Sequence, residues 1–326
     1  MKMSAITALA IVAGTAAYAE RDDLNVAMLL PGDIEDNGFM EAGYNGLMRI
    51  EKEFGAKISY IDDIKPEPEL LTDALRQLAQ DGPDMIIAHG GQNNDATKQV
   101  AAEFPDIAFV VVQGNVSGPN LASYEVLQEE SAWLAGAAAG LLTTTNVVGH
   151  ISGIRVTPGL KGRGGFYNGL MHTNPDAEFL TIFAGDQDDD DLSARVAKAE
   201  IERGADFIFT MLNSGRQGAI DAMRDTNTRQ FGNVIDWTEV EPEVFVGSAI
   251  ADVSIPSVEA VRDFVEGDWK PGTVTAIGLE NPDAVALTLS DKVPEDVRRQ
   301  IEALKEKVIS KEIEVSTEYD GPELEL

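Results

Sequence analysis

The pentapeptide Tyr44-Asn45-Gly46-Leu47-Met48 returns as Tyr167-Asn168-Gly169-Leu170-Met171 in a chain of 326 residues that has no low-complexity tract. The surroundings of the two copies are alike in kind. The apolar run NVAMLL (25–30) and the polar loop PGDIEDNGF precede the first; VVGHIS (147–152) and a Gly-rich loop precede the second. KISYI follows one copy and EFLTIF the other. At nearly the same offset, DGPDMIIAHGG (81–91) is answered by RGADFIFTMLNSG (203–215). Two separate matches at one spacing indicate a duplicated strand–loop–helix–strand unit, and two copies make a pair of lobes rather than a solenoid.

Working outward, runs rich in Val, Ile and aromatic residues alternate with segments whose apolar residues recur at helical spacing. NVAMLL, KISYI, DMIIAH, IAFVVVQ and LASYEV read as strands of one half; VVGHIS, EFLTIF, DFIFTM, GNVIDW and VFVGSAI read as strands of the other. Strands joined by helices predict an α/β protein with parallel sheets covered on both faces. Ligands of such sheets lie beyond the carboxyl ends of the strands, so two lobes would enclose a cleft. No Pro/Ser-rich linker separates the halves. The chain is therefore expected to cross directly three times, near 125–130, 247–251 and 277–281. That divides it into an N-terminal lobe (20–127 plus about 251–278) and a C-terminal lobe (128–250 plus about 279–320). IPSVEAVRDFVEG is read as a helix returning to the first lobe, and the acidic end GPELEL is expected to fray.

Residues 1–19 read as a cleaved secretory signal. Lys2 is followed by an apolar run and then by Ala17-Tyr18-Ala19, an A-x-A site before Glu20. The run is shorter than the roughly 20 residues a membrane span needs. The chain has no cysteine, which excludes disulfides, thiolate chemistry and a lipid-modified cysteine. Export without an anchor predicts a periplasmic protein. With 56 acidic against 25 basic residues the formal charge is −31, a surface that repels phosphate backbones, so nucleic acid is not an expected partner.

The strand-end loops carry the candidate ligand contacts. PGDIEDNGF supplies Asp36, Asn37 and Phe39; the polar residues suit either ligand contact or helix capping, whereas an aromatic at the mouth of a cleft suits stacking on a planar ligand. HGGQNND supplies Gly90 and Gly91, where backbone can approach closely, and Asn93, a donor and acceptor. LNSGRQG supplies Asn213 in the corresponding place. IDWTEVEP supplies Asp236 beside Trp237, a pair that suits a hydroxylated ring, although Asp236 also suits a helix cap. In KGRGGFYNG the glycines are read as allowing close helix–strand packing, with Phe166 facing the cleft. The acid run DQDDDD (186–191) precedes a helix and lacks the Gly and terminal Glu of a calcium loop. The three histidines have no metal-ligand spacing and no nucleophile elbow exists. No catalysis, cofactor or metal is therefore expected.

These segments together resemble the BMP (basic membrane protein, PnrA-like) family of solute-binding proteins for ABC importers. The resemblance runs through GDIEDNGF, DALRQLAQDGPDMIIAHG, FPDIAFVVV, GPNLASY, EESAWLAG, VGHISG, GGFYNG and RGADFIFT. It implies a type I periplasmic-binding-protein fold of two Rossmann-like lobes with three crossovers, a purine nucleoside in the cleft, delivery to an inner-membrane permease, and a monomer. It implies stacking by Phe39 and sugar recognition by Asp236. The chain departs from the family pattern at Met40, where an Asn is usual; at Gln113, where many members have an acid; and at Ala251, where a Lys often reaches the ligand. Those departures leave a bare purine base or another planar solute open. A sensory ligand receptor and a nucleoside hydrolase are the competing functions.

Overall fold

The computed structural model describes residues 24–36 and 38–325, so the segment read as a secretory signal and Asn37 lie outside the described residues. One six-stranded sheet contains β1 (Asn25–Leu29), β2 (Lys57–Ile61), β3 (Met85–His89), β4 (Ala108–Val112), β5 (Leu121–Val126) and β11 (Val274–Ile277). Their order is β11-β5-β4-β3-β1-β2, with every pairing parallel. The other contains β6 (Val147–Ser152), β7 (Glu178–Phe183), β8 (Phe207–Met211), β9 (Arg229–Val234), β10 (Phe245–Ala251) and β12 (Val285–Leu289), ordered β12-β10-β9-β8-β6-β7. Only β12 runs antiparallel, against β10. Strand for strand the two orders are the same, as a duplicated unit requires. β3 and β4 are buried along their whole length, which is why MIIAH and AFVVV read as unbroken apolar runs.

Helices cover both faces. In the first lobe α1 (Phe39–Phe54) lies on one side and α2 (Pro68–Gln80) with α3 (Asn94–Glu103) on the other. The second lobe carries α5 (Thr157–Thr173), α6 (Asp190–Glu202), α7 (Arg216–Arg224), the short α8 (Trp237–Val240) and α10 (Glu295–Ile309). Two helices trade places. α4 (Gln128–Leu142) follows β5 of the first sheet but packs on α5 and β10 of the second; α9 (Ile255–Glu266) follows β10 but packs on α1 and β5. A third passage runs from β11 to β12.

The exchange explains the repeated pentapeptide. Gly46 lets α1 approach α9, where an added Cβ would overlap Ser254 and Ser257; its counterpart Gly169 lets α5 approach α4, where a Cβ would meet the backbone of Trp133. Each lobe thus seats the helix arriving from the other lobe on the glycine of YNGLM. The glycines of KGRGGFYNG allow close packing in three directions: Gly165 abuts the backbone of Glu129 in α4, Gly164 that of Thr317 in the C-terminal segment, and Gly162 the Met211 side chain of β8.

Further differences from the sequence reading have physical causes. β11 and β12 are short edge strands of partly exposed residues, too weakly patterned to stand out as strands. The end of the chain does not fray. Glu323 bridges Arg155 (2.5 Å) and Arg163 (2.6 Å), the Leu324 amide donates to Thr181 O (2.8 Å), and the Leu324 side chain is buried in the α6–α7 core. A charged terminal segment has no periodicity to betray such docking. α4 is buried nearly end to end, and among the described residues no helix is long and apolar enough to cross a membrane.

Candidate functional site

The carboxyl ends of the two sheets face one another. A Cβ built on Gly38, in the loop after β1, would lie 3.1 Å from the Asn213 side-chain amide in the loop after β8. Asn213, after β8, and the turn of Phe39, after β1, therefore meet at the carboxyl ends of the two sheets.

In the first lobe Asp36 is a cap. Its Oδ1 accepts from the amides of Gly38 (2.8 Å) and Glu41 (3.1 Å), and its Oδ2 accepts from Met40 (3.1 Å). These are the otherwise unpaired N–H groups of the first turn of α1. The same turn holds Phe39, half-buried, with its ring centroid 4.2 Å from that of His89. His89 Nε2 lies 2.8 Å from Phe39 O. A carbonyl only accepts, so the proton sits on Nε2 and Nδ1 is left as a buried acceptor without a partner. Burial lowers the His89 pKa to about 4, against the raising effect of the Phe39 carbonyl, so the imidazole is neutral. Phe39 also packs against the core cluster that runs through the crossovers into the second lobe.

Gly90 has φ 104°, open to glycine without strain, and Gly91 brings its backbone close under Gln113 O. Asn93 is sealed from solvent and donates Nδ2 to His89 O (2.9 Å) and Gly90 O (3.0 Å), while its Oδ1 has no partner. Gln113, at φ 56°, spends its Oε1 on the Val126 amide (2.8 Å). It ties β4 to the first crossover.

In the second lobe Asp236 caps α8, accepting from the Thr238 amide (2.9 Å) and hydroxyl (2.6 Å). Trp237 stacks on Phe245 (5.5 Å between centroids) and donates its indole N–H to Asn233 O (3.0 Å). The acid run before α6 is structural as well. Asp188 holds the Ser214 amide and hydroxyl, Asp189 caps α6, and Asp190 holds the Gly218 amide. Phe166 does not face the cleft. It has no exposed surface and stacks on Phe209 (4.8 Å, 11°) inside the second lobe's core. Packing α5 glycine-to-backbone on α4 turns Phe166 inward onto the sheet.

Four residues not singled out from the sequence belong to this region. His89 backs Phe39. Arg216, with Asn233, ties together the loops after β8 and β9: its Nη1 donates to Thr210 Oγ1 (2.8 Å), and its Nη2 donates to Leu212 O and to Asn233 Oδ1. The fourth, Lys161 of α5, reaches Glu125 at the end of β5 (2.9 Å) and Glu129 (3.4 Å), tethering the lobes at the first crossover. Burial pulls the Lys161 pKa down, but Glu129 and Glu125 carry it above the usual range; burial likewise pushes the Glu129 carboxyl up. A histidine ending the run DMIIAH and an arginine opening a helix after Ser-Gly were the only signals available. Val234, just past Asn233, has φ 71°, a strained value for a β-branched residue, and it stands where the β9 backbone turns toward Asp236. Among the described residues no group of three or more His, Asp or Glu side chains could hold a metal ion.

Comparison with known proteins adds the following. A family model described as "ABC transporter substrate-binding protein PnrA-like" matches residues 24–318. The chain is similar to basic membrane protein A of Borreliella burgdorferi, 25% identical with 91% of this chain and 89% of that one covered. It is also similar to the transcriptional activator protein med of Bacillus subtilis, 24% identical over 76% of this chain and 77% of the relative. Among solved structures, an ABC transporter solute-binding protein from Aeropyrum pernix K1 superposes with a TM-score of 0.76 at 20% identity, covering 91% of this chain and 94% of the other.

Proposed function

The chain belongs to the PnrA-like family of ABC transporter substrate-binding proteins, and on that premise we propose that it is a periplasmic receptor, monomeric, that takes a purine nucleoside between its lobes and presents it to an inner-membrane permease. The reading rests on Phe39. A half-buried phenyl ring at the first turn of α1, held from behind by neutral His89, is a stacking platform that faces the loop of Asn213. Bending at the three crossovers would close the lobes, and closure needs only that the ligand bind the closed arrangement better than the open one. Asp36 acts here by fixing the turn that carries Phe39, and Asn37 bonds a polar edge of the ligand. Gly90 and Gly91 admit the ligand near the backbone, with Asn93 bracing that turn from within through His89 O and Gly90 O, Asn213 bonds a polar edge, and the free oxygen of Asp236 meets a hydroxyl.

A second reading, a bare purine base, is favoured by two observations. Gln113 spends its carbonyl on the Val126 amide, and the buried methyl of Ala251 offers nothing polar. The test is thermal unfolding of refolded, ligand-stripped protein with purine nucleosides, purine bases, pyrimidine nucleosides and simple sugars. A ligand at about 100 times its dissociation constant adds about 2.7 kcal/mol. A shifted midpoint with nucleosides but not bases supports the first reading, a shift with bases alone supports the second, and no shift with either refutes both.

A further inference from the structure

Arg216 is the feature that neither the family nor the capping chemistry explains. It is 3% exposed, yet among the described residues no carboxylate comes within ion-pair distance of it. Every partner is neutral: Thr210 O and Oγ1, Leu212 O, Asn233 Oδ1, and the face of Trp237 at 4.5 Å. Its Nε is buried without a hydrogen-bond partner among the described residues. Burial lowers its pKa to about 9, which leaves it a cation at neutral pH. A buried charge without a counter-charge is costly, and an Asp at position 233 would supply one at no change of side-chain size. The chain keeps Asn there, in a protein with acidic residues in abundance.

What Asn supplies and Asp cannot is a donor. A guanidinium only donates, so the Asn233 amide must turn its oxygen to Arg216 and its Nδ2 away. Nδ2 has no hydrogen-bond partner among the described residues and is not sealed from solvent. The same Nη2 that holds Asn233 Oδ1 also holds Leu212 O, so this amide stands beside the Asn213 loop that meets Gly38 from the other lobe. A cation bonded to the amide oxygen polarises the amide and strengthens its N–H as a donor.

We propose that Arg216 is a positioning residue and Asn233 a specificity-determining one, which together make the second lobe's wall a donor for a ring carbonyl and select 6-oxo over 6-amino purines. This rests on the purine reading above. A 6-oxo ring presents an acceptor to Asn233 Nδ2, whereas a 6-amino ring presents a second donor and leaves both groups unpaired.

The test is titration calorimetry of the ligand-stripped full chain with inosine, hypoxanthine, adenosine and adenine, for the wild type, Asn233→Asp and Asn233→Ser, with ligand-free melting of each. The wild type is expected to prefer the oxo member of each pair by about tenfold or more. Asn233→Asp should lose or invert that preference while its ligand-free midpoint rises, because Arg216 gains a carboxylate. Asn233→Ser should lose the preference without the rise. A purely structural role predicts that both variants keep the wild-type preference, and that result overturns the proposal, as does a wild type that favours the amino forms or a ligand-free Asn233→Asp less stable than the wild type. A wild type that binds without discriminating refutes the selectivity alone. A wild type silent toward all four probes refutes the purine reading and the selectivity with it.

Discussion

Replacing Asp36 by Ala separates a capping role from a ligand contact. The carboxylate accepts from three amides at the start of α1, at 2.8, 3.1 and 3.1 Å. Loss of a cap of this kind costs about 1 kcal/mol, and loss of a negative charge at a helix N-terminus a further 0.3–1 kcal/mol or so. The three amides are only part-buried, so water repairs some of the damage, and the sum stays at about 1.5 kcal/mol. In a chain of this length that corresponds to a midpoint lowered by roughly 4 °C. Phe39 is the first residue of the helix, so fraying of the turn also releases the stacking ring, and ordering it again on binding costs about 0.5–1.5 kcal/mol. Scanning calorimetry of ligand-free protein measures the first effect and titration with the purine that gives the largest thermal shift measures the second. Both should fall together. A variant that melts like the wild type but no longer binds would mean that the carboxylate serves the ligand, and the capping argument would be wrong.

Phe39→Ala should weaken binding by about 1–3 kcal/mol, the usual range for a base stacked on an aromatic ring, while Phe39→Tyr should bind nearly as the wild type; calorimetry decides. Gly169→Val should destabilise the chain by more than 3 kcal/mol or abolish soluble expression, because any added Cβ meets the backbone of α4; a wild-type denaturation midpoint would disprove the helix-on-helix packing. Acid should destabilise the protein through His89 and His150, whose pKa values burial lowers to about 4 and about 3. Both are neutral when folded, but the unfolded chain protonates them below about 6.5. Stability is therefore intact above that pH and falls as pH drops toward 4, by up to roughly 1.4 kcal/mol per pH unit for each group. Melting from pH 7 to pH 5 should show it, with His150→Gln removing about half the slope. Truncation after Asp320 removes Glu323 and the buried Leu324 and should lower the denaturation midpoint, with Arg155 and Arg163 losing their shared carboxylate.

Much of this protein could be read from one dimension. Internal strands such as MIIAH and AFVVV announce themselves because a parallel strand buried on both faces is apolar along its length. The duplicated lobes announce themselves because YNGLM solves the same packing problem twice. Phe39, Asn93 and Asn213 could be assigned to strand-end loops because each follows an apolar run, and the carboxyl ends of parallel strands are where such loops gather. Capping chemistry was legible as an alternative at Asp36 and Asp236, but the choice was not, since Asp at the start of a helix serves a ligand or a backbone amide equally well on paper. Only distances of 2.6–3.1 Å to particular amides and a hydroxyl showed that both carboxylates cap their turns.

Other features had no local signal at all. Phe166 turned inward because α5 lies glycine-to-backbone against α4, the helix that the first crossover delivers to the second lobe. The tail docked because Arg155 and Arg163, far away in sequence, converge on Glu323. His89 became the support of Phe39, and Arg216 the partner of Asn233, only when separate strand ends were brought side by side. Periodicity and turn chemistry act between residues a few positions apart, so the sequence by itself determined most of the elements and their repetition. Which polar atoms remain free at the strand ends depends on partners far off in the chain, and only the tertiary structure could decide it.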